Sequence, residues 1–366
     1  MSSSPRPFFS ILIPSYNRPE HMARCIESVL DNQVGEIEII ISDDASPQRE
    51  AIARAVRPYL GKPNIRFYQQ SANIGEPANR NFLVSQATGQ YNIILCDDDR
   101  LFSHSLSTIR RYVQQQPDYD LYMFGYRVTN DSHAAGWDRV APKAFAICPE
   151  HHDLRRRMFD GTWLPFLMFH PATFCAKRGV ETEIPYRQDV YTADDYMFLL
   201  ECLKKNKRMY VLPECLLRYV QASEGANQIN QSADALTVLK AYTRVYYAII
   251  SEKELDPWLE SYVHGRHYRK RFLYDFIIRR LPKKANIAQM LNLPSVAERE
   301  LATYITRHNR RFVLMKTAIR VFYELIQEFG LTGAVYSIRI GLAYVSHRLF
   351  PVAPAPGLSS PQSLIP

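Results

Sequence analysis

Three carboxylates stand side by side at Asp97, Asp98 and Asp99, directly after the apolar run Tyr91-Asn92-Ile93-Ile94-Leu95-Cys96. Adjacent negative charges repel one another. A hard divalent cation with oxygen ligands would neutralise them, and a diphosphate could complete its shell. A solvated acidic turn is the plain alternative. A second acidic group, Asp194-Asp195, opens a helical pattern, where acids also suit the positive end of a helix dipole. No G-x-G-x-x-G and no G-x-x-x-x-G-K-[ST] occurs in the chain, so two common phosphate cradles are absent.

The acids need elements to hold them. Short apolar runs at Phe8–Ile13, Ile37–Ile41, Ile65–Tyr68 and Tyr91–Cys96 predict buried strands. Apolar spacing predicts helices over Glu20–Leu30, through Val56, and over Glu76–Ala87 with Gly89 as a stop signal. A further helix is expected from Leu101 to Gln116, a strand at Leu121–Tyr126, a loop or hairpin over Thr129–Pro149, a strand at Met168–Cys175 and a helix at Asp194–Lys205. Alternating strands and helices predict an α/β fold, a mostly parallel sheet with helices on both faces. Its ligands belong at the carboxyl ends of the strands, where Pro14–Arg18, Asp43-Asp44 and Asp97–Asp99 all fall.

The chain has 366 residues, 46% hydrophobic and 12% aromatic, enough for a large cored domain with an extension. Its net charge of +8 is unevenly spread: from Ala226 onward there are 19 Lys+Arg against 10 Asp+Glu, and before it 26 against 27. The basic part follows the expected sheet and points to an anionic partner. Long helical patterns fill residues 226–350, and one opens with the capping-box pattern Ser295-Val296-Ala297-Glu298. Residues 1–7 and the Pro- and Ser-rich 351–366 are expected to be disordered. Basic helices with aromatic and aliphatic faces across 264–350 fit an anionic membrane surface, with an ordinary helical subdomain as the alternative. No recognition module accompanies the charge, so nucleic acid is not expected. Six scattered cysteines without a C-x-x-C pair read as reduced core thiols. Without a signal-like or membrane-spanning run, the expected location is the cytoplasm, or its membrane face.

Five stretches in order resemble the family 2 glycosyltransferases of the GT-A fold, particularly those that build bacterial surface polysaccharide. They are Ile11–Arg18, Ile39–Ser46, Asn73–Asn81, Asp97–Asp99 and Ala193–Leu199, within a domain expected over 8–225. The resemblance implies inverting transfer of a sugar from a nucleotide donor to an acceptor hydroxyl. It puts Pro14, Ser15, Tyr16, Asn17, Arg18, Asp43, Asp44, Gly75, Arg80, Asp97 and Asp98 at the donor. Asp43 would meet an imide N–H of uracil or thymine, favouring UDP or dTDP, and Arg80 the diphosphate. Asp97, Asp98 and Asp99 would hold Mg²⁺ or Mn²⁺. Asp195, favoured over Asp194, would be the general base. The implied acceptor is a saccharide, possibly linked to polyprenyl diphosphate. A sugar nucleotidyltransferase and a non-catalytic nucleotide-binding scaffold are the alternatives.

Two features depart from the family pattern. Cys96 stands where a first acid often falls, and Leu216–Ser223 lacks the histidine that many relatives use as a metal ligand. His151, His152 and His170 are not assigned as replacements.

Overall fold

The computed structural model describes residues 6–129, 137–141, 143–152, 155 and 171–220. The expected C-terminal helices over 226–350 and both expected disordered tails apart from residues 6 and 7 lie outside the described residues, as do 130–136 and 142 of the Thr129–Pro149 loop or hairpin.

The first strands form because their side chains are apolar on both faces. Every residue of β1 (Phe9–Ser15), β2 (Ile37–Asp43) and β4 (Tyr91–Ile94) is buried. Residues Phe9, Ile11 and Ile13, with Ile39, Ile41 and Ile93, face a core completed by α1 (Pro19–Leu30), α2 (Arg49–Val56) and α4 (Ser105–Gln115). These helices contribute Met22, Ile26, Ile52, Val56 and Ile109. The chain steps from β1 to β2 to β3 (Ile65–Gln69), all parallel, then returns across the sheet to place β4 on the other side of β1. Right-handed crossovers put α1 and α2 on one face and send α3 (Glu76–Gln86) to the opposite face. The reversal lies between β1 and β4.

Beyond β4 the sheet becomes mixed. β9 (Phe174–Lys177) runs antiparallel to both β4 and β6 (Leu121–Thr129), and β10 (Met209–Val220) pairs parallel with β6. The full order is β3-β2-β1-β4-β9-β6-β10-β5, where β5 is Arg100–Leu101. β7 (Trp137–Arg139) lies beside β6 and β8 (Phe145–Ile147) beside β10. Two short elements complete the described part, α5 (Val180–Glu183) and α6 (Asp194–Lys204).

Some boundaries differ from the sequence expectation. Pro14 and Ser15 do not end the first strand but pair with Ser42 and Asp43. Proline is admitted because a parallel ladder leaves alternate N–H groups of each strand facing the other neighbour, and β4 has ended there. The helix expected from Leu101 begins at Ser105, after β5. Of the strand expected over Met168–Cys175, residues 168–170 lie outside the described residues, Pro171–Thr173 is a 3₁₀ turn, and β9 starts at Phe174.

At the end of the sheet away from the strand termini, Glu38 is buried and accepts hydrogen bonds from Ser10 Oγ (2.6 Å), Thr88 N (2.6 Å), Thr88 Oγ1 (2.9 Å) and Gly89 N (3.0 Å). Gly89 lies so close to β1 that an added Cβ would stand 2.6 Å from Ser10 Oγ and 2.8 Å from Ser10 N. Gly89→Ala is expected to lower stability by about 1–3 kcal/mol, read as an earlier midpoint in urea unfolding followed by circular dichroism.

Candidate active site

Where strand order reverses, two neighbouring loops part and leave a crevice outside the carboxyl ends. Here those loops follow β1 and β4, and one ion pair crosses between them. Asn17 takes a left-handed backbone conformation (φ +60°), and its N–H donates to Ser46 Oγ at 2.7 Å. The turn makes Arg18 the residue that opens α1, with Pro19 in the first turn. Arg18 Nη1 lies 2.7 Å from Asp97 Oδ1 and 2.8 Å from Asp98 Oδ2. Burial works against the guanidinium charge, but Asp97 and Asp98 outweigh it and raise the Arg18 pKa.

The acids after β2 organise the neighbouring loops. Asp43 is fully buried; its Oδ1 accepts from the Ser46 hydroxyl and backbone N–H, and its Oδ2 from Gln69 Nε2 at 3.3 Å. Asp44 is buried as well. Its Oδ1 accepts from Ile74 N at 2.7 Å and its Oδ2 from Gly75 N at 2.9 Å, while its own N–H donates to Ser15 O at 2.9 Å. Gly75, at φ +87°, then starts α3, a conformation that costs a glycine little. The Asp44 carboxylate therefore ties the 73–75 loop, and with it the start of α3, to the ends of β1 and β2.

The trio after β4 is closely packed. Cys96 Sγ and carboxylate oxygens of Asp98 and Asp99 lie within 4.8 Å of one another. Asp99 is fully buried and its Oδ1 accepts from Val220 N at 3.1 Å. Asp97 is buried too, and its Oδ2 has no hydrogen-bond partner among the described residues. Burial, resisted by Arg18 and reinforced by Asp98, lifts the Asp97 carboxyl to about 7. Burial and the Asp98 charge push Asp99 well above the usual carboxylate range, and burial raises Asp98 against the pull of Arg18. These are groups short of positive charge. Burial also keeps the Cys96 thiol protonated, with a pKa well above the ordinary value, so the oxygen donors for a hard cation are the carboxylates. The donor set fits Mg²⁺ or Mn²⁺: Asp98 and Asp99 would hold it, whereas Asp97, expected as a third ligand, falls outside this group.

The second acidic group opens α6. Asp194 is buried and ion-paired to Arg80 Nη1, while Arg80 Nη2 pairs with Glu76 one turn earlier on α3. The Arg80 guanidinium lies 5.5 Å from the centroid of the Tyr186 ring. Tyr186 is fixed at both ends: its hydroxyl donates to Glu181 Oε1 at 2.9 Å, and its backbone pairs with the Asn81 side chain at 2.8 and 2.9 Å. Asp195, partly exposed, accepts from Tyr196 N at 2.6 Å and has no ion-pair partner among the described residues. Burial and the adjacent Asp194 charge raise its carboxyl to about 7, whereas Asp194, held down by Arg80, reaches only about 6.

The two acidic groups share one electrostatic field. The Glu76 charge acts on Arg18 and Asp98 as well as on Asp194 and Asp195, and the Arg80 charge is felt at Cys96. Pro14 and Ser15 are buried on β1, and Tyr16 is 47% exposed at its end. Sequence reasoning gave no site role to Glu76 or Tyr186. Glu76 was open to inspection as the i,i+4 partner of Arg80; Tyr186, over one hundred positions from Arg80, carried no signal. Among the described residues no histidine joins the Cys96–Asp98–Asp99 group. His151 bonds instead to Cys148 N and the Ala146 carbonyl, and His170 lies outside the described residues.

Residues 10–175 match the model of glycosyl transferase family 2, and this part of the chain is a family 2 glycosyltransferase domain. The chain is 29% identical over 183 residues to the putative colanic acid biosynthesis glycosyl transferase WcaA of Escherichia coli K12, covering 50% of this chain and 63% of WcaA. It is 33% identical over 106 residues to the GalNAc(5)-diNAcBac-PP-undecaprenol beta-1,3-glucosyltransferase of Campylobacter jejuni, covering 28% and 33% of the two chains. It thus spans less than two thirds of either relative. Among solved structures, Staphylococcus aureus TarS 1–349 in complex with UDP-GlcNAc superposes with a TM-score of 0.58 at 14% identity, over 83% of this chain and 91% of that one. The mannosyltransferase PcManGT of Pyrobaculum calidifontis, in complex with GDP-Man and Mn²⁺, gives 0.52 at 14%, over 95% and 88%. These likenesses establish the GT-A fold. Among the described residues no helix is long and apolar enough to cross a membrane.

Because Asp44 closes two charge-assisted bonds to the 73–75 loop, Asp44→Ala is expected to cost about 2 kcal/mol of stability. Proteolysis at 73–75 should speed up in the same variant, and limited thermolysin digestion, which cuts before Ile74, checks this by mass spectrometry.

Proposed function

We propose that the protein transfers a sugar, with inversion, from a nucleoside diphosphate donor to an acceptor hydroxyl. The observation that carries this reading is Asp195: a partly exposed carboxylate with no described cation partner and a pKa near 7, in the same field as the acidic trio. An acceptor hydroxyl has a pKa far above 7 and must lose its proton as the new bond forms. A carboxylate raised towards neutrality is a better acceptor for that proton than an ordinary aspartate.

In this reading the acceptor oxygen attacks the anomeric carbon while Asp195 takes its proton. The bond from that carbon to the diphosphate breaks, and the negative charge develops on the departing nucleoside diphosphate. Mg²⁺ or Mn²⁺, when bound by Asp98 and Asp99, supplies the Lewis-acid charge that offsets it. Asp194 and Arg80 brace the helix end that carries Asp195. Pro14, Ser15, Tyr16, Asn17 and Arg18 line the nucleotide, with Gly75 and Asp44 fixing the loop opposite. Asp43 meets an imide N–H of uracil or thymine through Oδ2, the oxygen that carries only the 3.3 Å bond from the exposed Gln69. UDP or dTDP is therefore the favoured carrier. The acceptor is a saccharide in polysaccharide assembly, linked to polyprenyl diphosphate. The basic excess after residue 226 supports its presentation at an anionic membrane surface on the cytoplasmic side.

A thermal-shift panel of UDP, dTDP, GDP and CDP, with and without Mn²⁺, tests the donor reading. UDP or dTDP with Mn²⁺ should stabilise most; stabilisation by GDP alone would overturn the Asp43 assignment. Asp195→Asn should lower transfer about 10²–10⁴-fold with UDP binding retained. In wild type, kcat/KM should rise with pH and level off above about 7, because the base works only when deprotonated. A profile that stays flat through this range would remove Asp195 from the role.

A further inference from the structure

Asp98 has two claimants. Its carboxylate groups with Asp99 and Cys96 as a cation site, and its Oδ2 lies 2.8 Å from Arg18 Nη1. The same nitrogen holds Asp97 Oδ1 at 2.7 Å, so one guanidinium corner bridges two of the three acids. A divalent cation on Asp98 would stand a few ångströms from that positive charge, with little water between them to screen the repulsion. Cation and guanidinium therefore disfavour one another at Asp98.

Arg18 is built to leave. Its backbone is fixed, by the left-handed Asn17 whose N–H is held on Ser46 Oγ, and by Pro19 starting α1. Its side chain is long and 18% exposed at the crevice, unlike that of Arg80 at 4%. The anion that would arrive with the cation, a diphosphate, matches the planar fork of a guanidinium.

We propose that Arg18 is an exchangeable counter-ion: it neutralises Asp97 and Asp98 while the site is empty, and swings to the donor diphosphate when the cation takes Asp98. This rests on the donor-and-cation reading above and adds an order to it. The cation binds weakly alone and tightly with the nucleotide, and by linkage each raises the affinity of the other through this one side chain.

The test measures Mn²⁺ binding by the loss of the free-ion electron paramagnetic resonance signal, using full-length wild type, Arg18→Met and Arg18→Lys, each alone, with UMP and with UDP. In wild type UDP should tighten Mn²⁺ binding and UMP should do so much less. Arg18→Met should bind Mn²⁺ alone about tenfold more tightly than wild type, a change of about 1.4 kcal/mol. It should also lose most of the tightening by UDP. Arg18→Lys, which keeps the charge, should bind Mn²⁺ alone as wild type does. Unchanged or weaker Mn²⁺ binding in Arg18→Met, with UDP coupling intact, overturns the exchange while leaving the metal site standing. Absence of Mn²⁺ binding in every form, UDP included, overturns both. Should Arg18→Met be unfolded when metal-free, refolding on Mn²⁺ addition supports the exchange, and failure to refold while Arg18→Lys folds refutes it.

Discussion

Like charges crowded into a space with little water are the constraint on which this site is built. Glu76, Asp97, Asp98, Asp99, Asp194 and Asp195 gather at the carboxyl edge of the sheet, with Asp97, Asp99 and Asp194 buried and Arg18 and Arg80 set among them. Burial alone raises a carboxyl pKa, and neighbouring carboxylates raise it further. Each arginine answers two acids, and Arg18 holds Asp97 and Asp98, and Arg80 holds Asp194, below where burial alone would put them. The remaining shortfall of positive charge is what makes the trio receptive to a cation and leaves Asp195 near neutrality.

The crowding is a consequence of topology more than of local sequence. β1 lies between β2 and β4, so the loops after three strands converge, and the return of the chain to β4 opens the crevice between the first and the last of them. α3, on the opposite face from α1, then carries Glu76 and Arg80 under the same edge. The link to α6 closes through Arg80 and Asp194, residues 114 positions apart. A single buried guanidinium thereby joins the first half of the domain to the half that bears the second acidic group.

Much of this was legible in the sequence. The doubly apolar strands declared a parallel sheet, and each acidic group fell at a strand or helix terminus, where polar residues interrupt an apolar pattern. Which acid meets which partner was not legible, because a carboxylate reads the same whether it binds a ligand or a backbone. Asp44 illustrates the difficulty: grouped with the donor residues by its motif, it spends both oxygens on the N–H groups of Ile74 and Gly75. Arg80, expected at the diphosphate, has both terminal nitrogens on carboxylates. Pro14 carries a turn signal but stays in the ladder because β4 stops short of it. Pairings across a hundred residues depend on β9, α5 and Tyr186, whose sequence signals are weak or absent.

The two arginines also separate what is fixed from what can change. Arg80 is enclosed by Glu76, Asp194 and the Tyr186 ring, and Tyr186 is itself locked through Glu181 to Asn92 on β4. Moving it would strand a charge in a buried site, a cost of several kcal/mol, so it acts as part of the frame. Arg18 is tied to the edge by a short turn and its guanidinium is more exposed than that of Arg80, so an incoming anion can take over its bonds while a cation takes those of the acids. A rigid pair beside Asp195 and a more exposed pair beside Asp98 follow from one difference in burial. That difference traces back to where α1 and α3 start: α1 opens at the crevice itself, whereas Arg80 lies more than a turn inside α3, under the cover of α6.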